Sequence, residues 1–301
     1  MGVLGTVILQ SVLSDLGAAA QNYVGGLGNF PAISRTREHS LESLTQIRAY
    51  FAANPPPPES KVSTLAVAGS LARLEASALS DLDLIVATES PIANGALGAL
   101  THWRDTSCET LNLEKPNPKG VFYAPSHISS IMKIAGESAE GYDLAAKRTL
   151  LILESKWTYD RPNYENLLEG VLASYIQDVK NDPRKNFVFL LNDVIKYFRS
   201  LCVNYQFTKS EIEYGKWPIR NINLRHSRIV MYFSMVMAIG VLSSVDPEEK
   251  IEALNILVRM EPIQRLFSCY CISRDDGFDC PAFGFKPPAL AGKGFSRRLA
   301  R

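Results

Sequence analysis

Several things are scarce in this chain, and each scarcity narrows the reading. Cysteine is one: five in 301 residues, at positions 108, 202, 269, 271 and 280. An odd number at irregular spacing argues against a disulfide framework and for a reducing, cytoplasmic compartment. Cys269, Cys271 and Cys280 lack a fourth ligand at zinc spacing, so small buried or half-exposed thiols are expected there. His102, His127 and His226 stand at no metal spacing with a carboxylate, and neutral structural histidines are expected. Charge of one sign is also missing. The formal net charge is +1, so no global field marks a nucleic-acid or membrane binder.

Long uninterrupted apolar runs are absent too. Residues 1–20 are apolar, but no early Lys or Arg precedes them, and Gln10, Ser11, Ser14 and Asp15 break the run. That makes a poor signal peptide and a poor membrane span; Val7, Ile8, Leu13 and Leu16 fit a helix packed on the body. Residues 229–245 contain Ser234, Ser243 and Ser244 and precede acidic residues, which suits a buried helix and no membrane partner. No internal repeat is evident.

What is present is an ordinary globular composition, 46% hydrophobic and 21% charged. The length suggests two domains. Residues 40–53 read as a helix, with Ser40 capping it and Leu41, Leu44, Ile47 and Phe51 on one face. The prolines at 55–58 end it as a stiff exposed linker. Residues 62–68 read as a strand turning at Gly69 and Ser70, and 71–78 as a turn or two of helix. Residues 82–87 read as a second strand, 93–106 as a helix and 108–113 as a third strand. Beyond about 145 the periodicity is helical, over 144–155, 164–180, 187–204, 225–244 and 247–257. Four segments result: 1–58 helical with the proline linker, 59–143 mixed α/β, 144–276 helical, and 277–301 a loose tail.

The segment 67–86 carries the chemistry. Strand side chains alternate, so Asp81 and Asp83 share a face, about 6.5 to 7 Å apart. Leu82, Leu84 and Val86 turn the other way into the core. Two carboxylates so spaced can share a pair of divalent cations roughly 3.5 to 4 Å apart. Mg²⁺ suits them, because it favours carboxylate and phosphate oxygens. Gly69 lets backbone approach a phosphate, Ser70 adds a hydroxyl donor, and a helix starting at Leu71 would aim N–H groups at a triphosphate.

An apolar residue, Gly69-Ser70, a gap of about ten, then Ser80-Asp81-Leu82-Asp83 and an apolar strand resembles the polymerase beta-type nucleotidyltransferase superfamily. The run from Ser80 to Val86 looks closest to bacterial nucleotidyltransferases related to the uridylyltransferase domain of nitrogen-regulatory enzymes. The strict motif covers about twenty residues. The resemblance implies an α+β fold: a small mixed-sheet nucleotidyltransferase domain with a C-terminal helical domain. It implies a nucleoside triphosphate as substrate, two Mg²⁺ held by Asp81 and Asp83, and Gly69, Ser70 and Ser80 at the nucleotide. Arg73 either meets a phosphate or is a surface arginine.

The superfamily adds a third carboxylate from a later strand. On a strand over 108–114, Glu114 faces away from Leu111 and Leu113, so it is favoured over Glu109 as base or metal ligand. Asp143 is a third option, and Glu114 can equally begin a turn before Pro116. Lys185, Lys196, Arg199, Lys209, Lys216, Arg220, Arg225 and Arg228, interleaved with aromatics, either serve a cleft or form a solvated face. The acceptor is an open choice among a protein hydroxyl, a small molecule, an RNA end and another nucleotide. Two other functions compete: a non-catalytic nucleotide-sensing or interaction module, and a toxin of a bacterial defence or toxin–antitoxin pair.

Overall fold

The computed structural model describes residues 2–78, 80–118, 120–133, 141–182, 186–211, 217–243 and 247–273. The 277–301 tail, Cys280, Lys185, Lys216 and Tyr214 lie outside them. In chain order the elements are α1 (Gly2–Gly26), α2 (Pro31–Ala53), β1 (Val62–Val67), α3 (Gly69–Ala72), β2 (Leu84–Thr88) and α4 (Asn94–Thr110). Then come β3 (Ser126–His127), α5 (Ile128–Met132), α6 (Tyr142–Glu154), β4 (Lys156–Tyr159) and α7 (Arg161–Tyr175). Helices α8 (Gln177–Asn181), α9 (Val188–Glu211), α10 (Trp217–Asn223), α11 (Ile229–Leu242), α12 (Pro247–Arg259) and α13 (Pro262–Ser273) complete the described chain. This is an α+β architecture with one small mixed sheet.

Two compact units divide the chain: residues 32–175 form one, and residues 1–31 with 176–301 form the other. The divisions read from the sequence at 58/59 and 143/144 both lie inside the first. The reason is visible in its core. Helix α2 places Leu44, Ile47 and Phe51 against Leu65 and Val67 of β1 and Leu84 and Val86 of β2. Of the prolines expected to be exposed, Pro55 and Pro58 are exposed and Pro56 is buried, and Trp103 Nε1 donates to Asn54 O at 3.0 Å.

The sheet order is β3-β2-β1-β4. β1 is antiparallel to both β2 and β4, and β2 runs parallel to β3. Strand β4, in the gap between two helices of the region read as mostly helical, caps one edge. The strand expected over 108–113 is instead the end of α4, which continues through Thr110. Buried Leu100, Arg104, Ser107 and Cys108 carry its inward face on at helical spacing, and the last turn wins over the short strand pattern.

Ser40 is another correction. It does not cap a helix, because α2 starts nine residues earlier at Pro31, where a proline suits the first turn. Ser40, not the exposed Leu41, occupies the inward position of the stripe with Leu44, Ile47 and Phe51. Its hydroxyl donates to Thr36 O at 2.7 Å and accepts from Ala76 N–H at 2.9 Å.

In the second unit, α11 is the apolar segment read at 229–245, with Met231, Met235, Ala238 and Leu242 buried. Among the described residues no helix is long and apolar enough to cross a membrane. Buried Arg265 donates to Leu257 O at 2.8 Å and Met260 O at 3.2 Å, satisfying carbonyls at the end of α12.

Candidate functional site

The site lies where β1 ends and β2 begins. Ala68 N–H donates to Asp83 O at 2.8 Å, carrying the β1–β2 ladder one step past Val67 and Leu84. Leu82 and Leu84 are fully buried, while Asp81 is exposed and Asp83 half-buried. The strand alternation thus extends through the Asp-x-Asp segment. Farther along the same face of β2, Ile85 and Ala87 are buried, so the face is open only at its Asp81–Asp83 end.

Gly69 has φ +70°, in the left-handed region. A Cβ there would stand 2.4 Å from Asp83 Oδ2, closer than any real carbon approaches. Glycine is therefore required twice, once for the turn and once for the Asp83 carboxylate resting on it. Ser70 follows, partly exposed. Leu74 also takes a positive φ, 60°, just after α3, and its buried side chain anchors it in the core.

Asp81 makes an isolated parallel bridge with Glu114, and Leu82 N–H donates to Glu114 O at 3.2 Å. Paired residues in a ladder point to the same face, so Glu114 lies beside Asp81 and across from Leu82. Leu111 and Leu113 pack on the core, as their parity demands. The edge beside β2 is therefore split. Glu114 flanks Asp81, Ser126 and His127 flank Ala87 and Thr88, and residues 115–125 lie between.

The other two acidic candidates sit elsewhere. Glu109 lies in the last turn of α4 and pairs with Lys115 at 2.7 Å, a hydrogen bond that lowers its pKa. Asp143 is in the first turn of α6, about 16 Å along that helix from its last residue, Glu154. Ser80 caps its own loop: its Oγ accepts from Ser77 N–H at 3.0 Å. Arg73 is a buried residue and not a surface arginine. It pairs with Glu154 at 2.6 Å and with Glu75 at 2.9 Å. Glu154 also accepts from Gly69 N–H at 3.0 Å, so that amide is committed to a buried carboxylate.

Glu154 is the residue that motif reasoning missed. The signal was a glutamate closing the apolar run Leu150-Leu151-Ile152-Leu153, where solvation alone does not account for a charge. His127 has a structural task. Nε2 lies 2.8 Å from Glu89 O, which can only accept, and Ser129 N–H donates to Nδ1 at 3.2 Å. The ring thus caps α5. The basic residues Lys196, Arg199, Arg225 and Arg228 belong to the other unit.

Among the described residues, no three His, Cys, Asp or Glu side chains gather closely enough to hold a metal ion. The donor set at the site is nevertheless consistent with a hard cation: Asp81, Asp83 and Glu114 offer only carboxylate oxygens. Comparison with family models, curated proteins and solved structures returns no match for this chain.

Proposed function

We propose that residues 32–175 form a metal-dependent nucleotidyltransferase, which moves a nucleoside monophosphate from a nucleoside triphosphate to an acceptor hydroxyl. The observation that carries the reading is the contact between Gly69, at φ +70°, and the Asp83 carboxylate. It joins a glycine-serine turn to one end of an Asp-x-Asp pair on an open sheet face.

Asp81 and Asp83 would hold Mg²⁺, with Glu114 adjacent to Asp81. Bound there, the cation supplies charge neutralisation for the phosphates. The chain's own residues do the rest. Ser70 Oγ donates to a phosphate oxygen, and the missing Cβ at Gly69 leaves room for the Asp83 carboxylate beside the turn. Glu114, exposed beside Asp81, accepts the proton of the acceptor hydroxyl. The hydroxyl oxygen bonds to the α-phosphorus, the bond from that phosphorus to the bridging oxygen breaks, and pyrophosphate leaves with that electron pair. Arg73 is committed to Glu154 and Glu75, so in this reading it supports the turn and does not bind phosphate.

The test is incubation with each radiolabelled nucleoside triphosphate, Mg²⁺ and a cell lysate. The expected result is label on one class of acceptor with release of pyrophosphate, abolished by EDTA and by Asp81→Asn/Asp83→Asn. The reading fails if no pyrophosphate is released and nucleotide binding ignores both Mg²⁺ and the double substitution; retained binding of that kind would indicate an interaction module.

A further inference from the structure

The residue that holds Gly69 comes from outside the motif, 85 positions later in the chain. Glu154 ends α6, and its side chain is 0% exposed. One carboxylate oxygen accepts from Gly69 N–H at 3.0 Å, and the other from Arg73 Nη1 at 2.6 Å. Gly69 begins the single turn of α3 and Arg73 follows its last residue, so one carboxylate spans the whole turn. Arg73 N–H also donates to Gly69 O at 3.1 Å, and Arg73 Nε reaches Glu75 at 2.9 Å.

A four-residue helix has no stability of its own, because nucleation consumes what one turn of hydrogen bonds provides. It opens with glycine, the residue with the most backbone freedom to lose. Something outside α3 must hold it. A buried carboxylate–arginine pair is seldom the most stable way to fill such a space, since apolar packing does as well or better. What the pair adds is direction. It fixes an amide and a guanidinium at set distances from one carboxylate, and the fixed amide belongs to the residue that Asp83 Oδ2 touches.

We infer that Glu154 is a positioning residue of the proposed transfer site. By holding Gly69 N–H and Arg73 together, it seats the Gly69-Ser70 turn against Asp83 and sets the direction in which the Asp83 carboxylate faces a divalent cation. The inference rests on the metal-dependent reading above. Glu154 does not touch the reacting atoms; it acts through Gly69. Displacements of about 1 Å at such distances can cost a hundredfold in rate, so a fixed turn matters even without direct contact.

Mn²⁺ binding, read on the full chain from the loss of its free-ion electron paramagnetic resonance signal, tests this without relying on turnover. Two variants are compared with wild type. Glu154→Gln keeps an acceptor for Gly69 but loses the charge for Arg73. Glu154→Asp keeps the charge but is one methylene too short to span both partners, and it keeps the ion pair should the glutamine variant not fold. Each folded variant is expected to bind Mn²⁺ at least tenfold more weakly than wild type while melting cooperatively in EDTA. A purely structural role predicts the opposite, a lowered melting temperature with unchanged Mn²⁺ affinity in the folded protein, and that result overturns the inference. Mn²⁺ affinity within twofold of wild type in either folded variant also overturns it. A wild-type chain that binds no Mn²⁺ overturns the metal-dependent reading and this inference with it.

Discussion

Helix α6 buries three charged side chains, Lys147, Arg148 and Glu154; Lys147 and Glu154 share a face two turns apart, and their surroundings differ. Glu154 meets an opposite charge, Arg73, and a backbone amide. Among the described residues, Lys147 hydrogen-bonds to neutral oxygens, donating to Ala124 O at 2.5 Å and Ser126 Oγ at 2.8 Å. Burial pushes the Lys147 amine down from 10.5 to about 8, against the milder pull of Asp143 one turn earlier. The contrast separates two uses of a buried charge. At Glu154 the charge binds two parts of the chain that must stay in register. At Lys147 it tethers the β3 edge, with hydrogen bonds as its main compensation, and the amine sits near its point of deprotonation.

The comparison can be broken at either position. Glu154→Leu should cost the most, about 3 kcal/mol in denaturant melts, because it leaves the buried Arg73 guanidinium with only the partly exposed Glu75 as a charged partner. Lys147→Met should stay within about 1.5 kcal/mol of wild type at pH 7, since it removes the desolvated cation along with its hydrogen bonds. Equal losses at the two sites would erase the distinction.

The next effect is pH dependence. The folded pKa of Lys147 is lowered, so between pH 8 and 10.5 the unfolded chain holds the proton that the folded chain has released. Stability should therefore rise with pH across that window, by up to roughly 3 kcal/mol, and be flat in this group below it. Lys147→Met should lack the rise; a parallel slope in wild type and variant would assign it to other groups.

Gly69→Ala probes what the carboxylate bridge protects. A left-handed alanine costs about 1–2 kcal/mol, and its Cβ would have to displace Asp83. The expected result is a modest drop in melting temperature with loss of Mg²⁺-dependent nucleotide binding. Smallest is Ser40→Ala, at about 1 kcal/mol by urea denaturation, which leaves the buried Ala76 amide without its acceptor. That amide lies in the loop joining α3 to β2, so the same variant asks whether the turn is also held from the α2 side.

How far the sequence could reveal this site depends on distance along the chain. The strand–turn–strand from 62 to 88 was legible because short runs of branched apolar residues and a glycine turn are local patterns. The face shared by Asp81 and Asp83 followed from parity alone. Glu114 was singled out by parity on a strand that is not there: α4 runs on to Thr110, yet Leu111 and Leu113 still turn inward and Glu114 outward. Ser40 misled because a serine before a leucine-rich stretch looks like a cap, whereas here it fills an inward position and is satisfied by a loop 36 residues away. Strand β4 was hidden in helical surroundings, since four residues give too little periodicity to register. Glu154 was out of reach as a partner for Gly69, because nothing local to either residue encodes their pairing.

That pairing also bears on when the site comes into being during synthesis. A nascent chain that has emerged only as far as residue 141 already contains Gly69, Ser70, Asp81, Asp83 and Glu114. It lacks Glu154 and strand β4, and so has neither the carboxylate that seats the turn nor the strand that covers β1. Closing a loop of 85 residues is an entropic step met late. The motif is translated early, and its geometry waits for the end of α6.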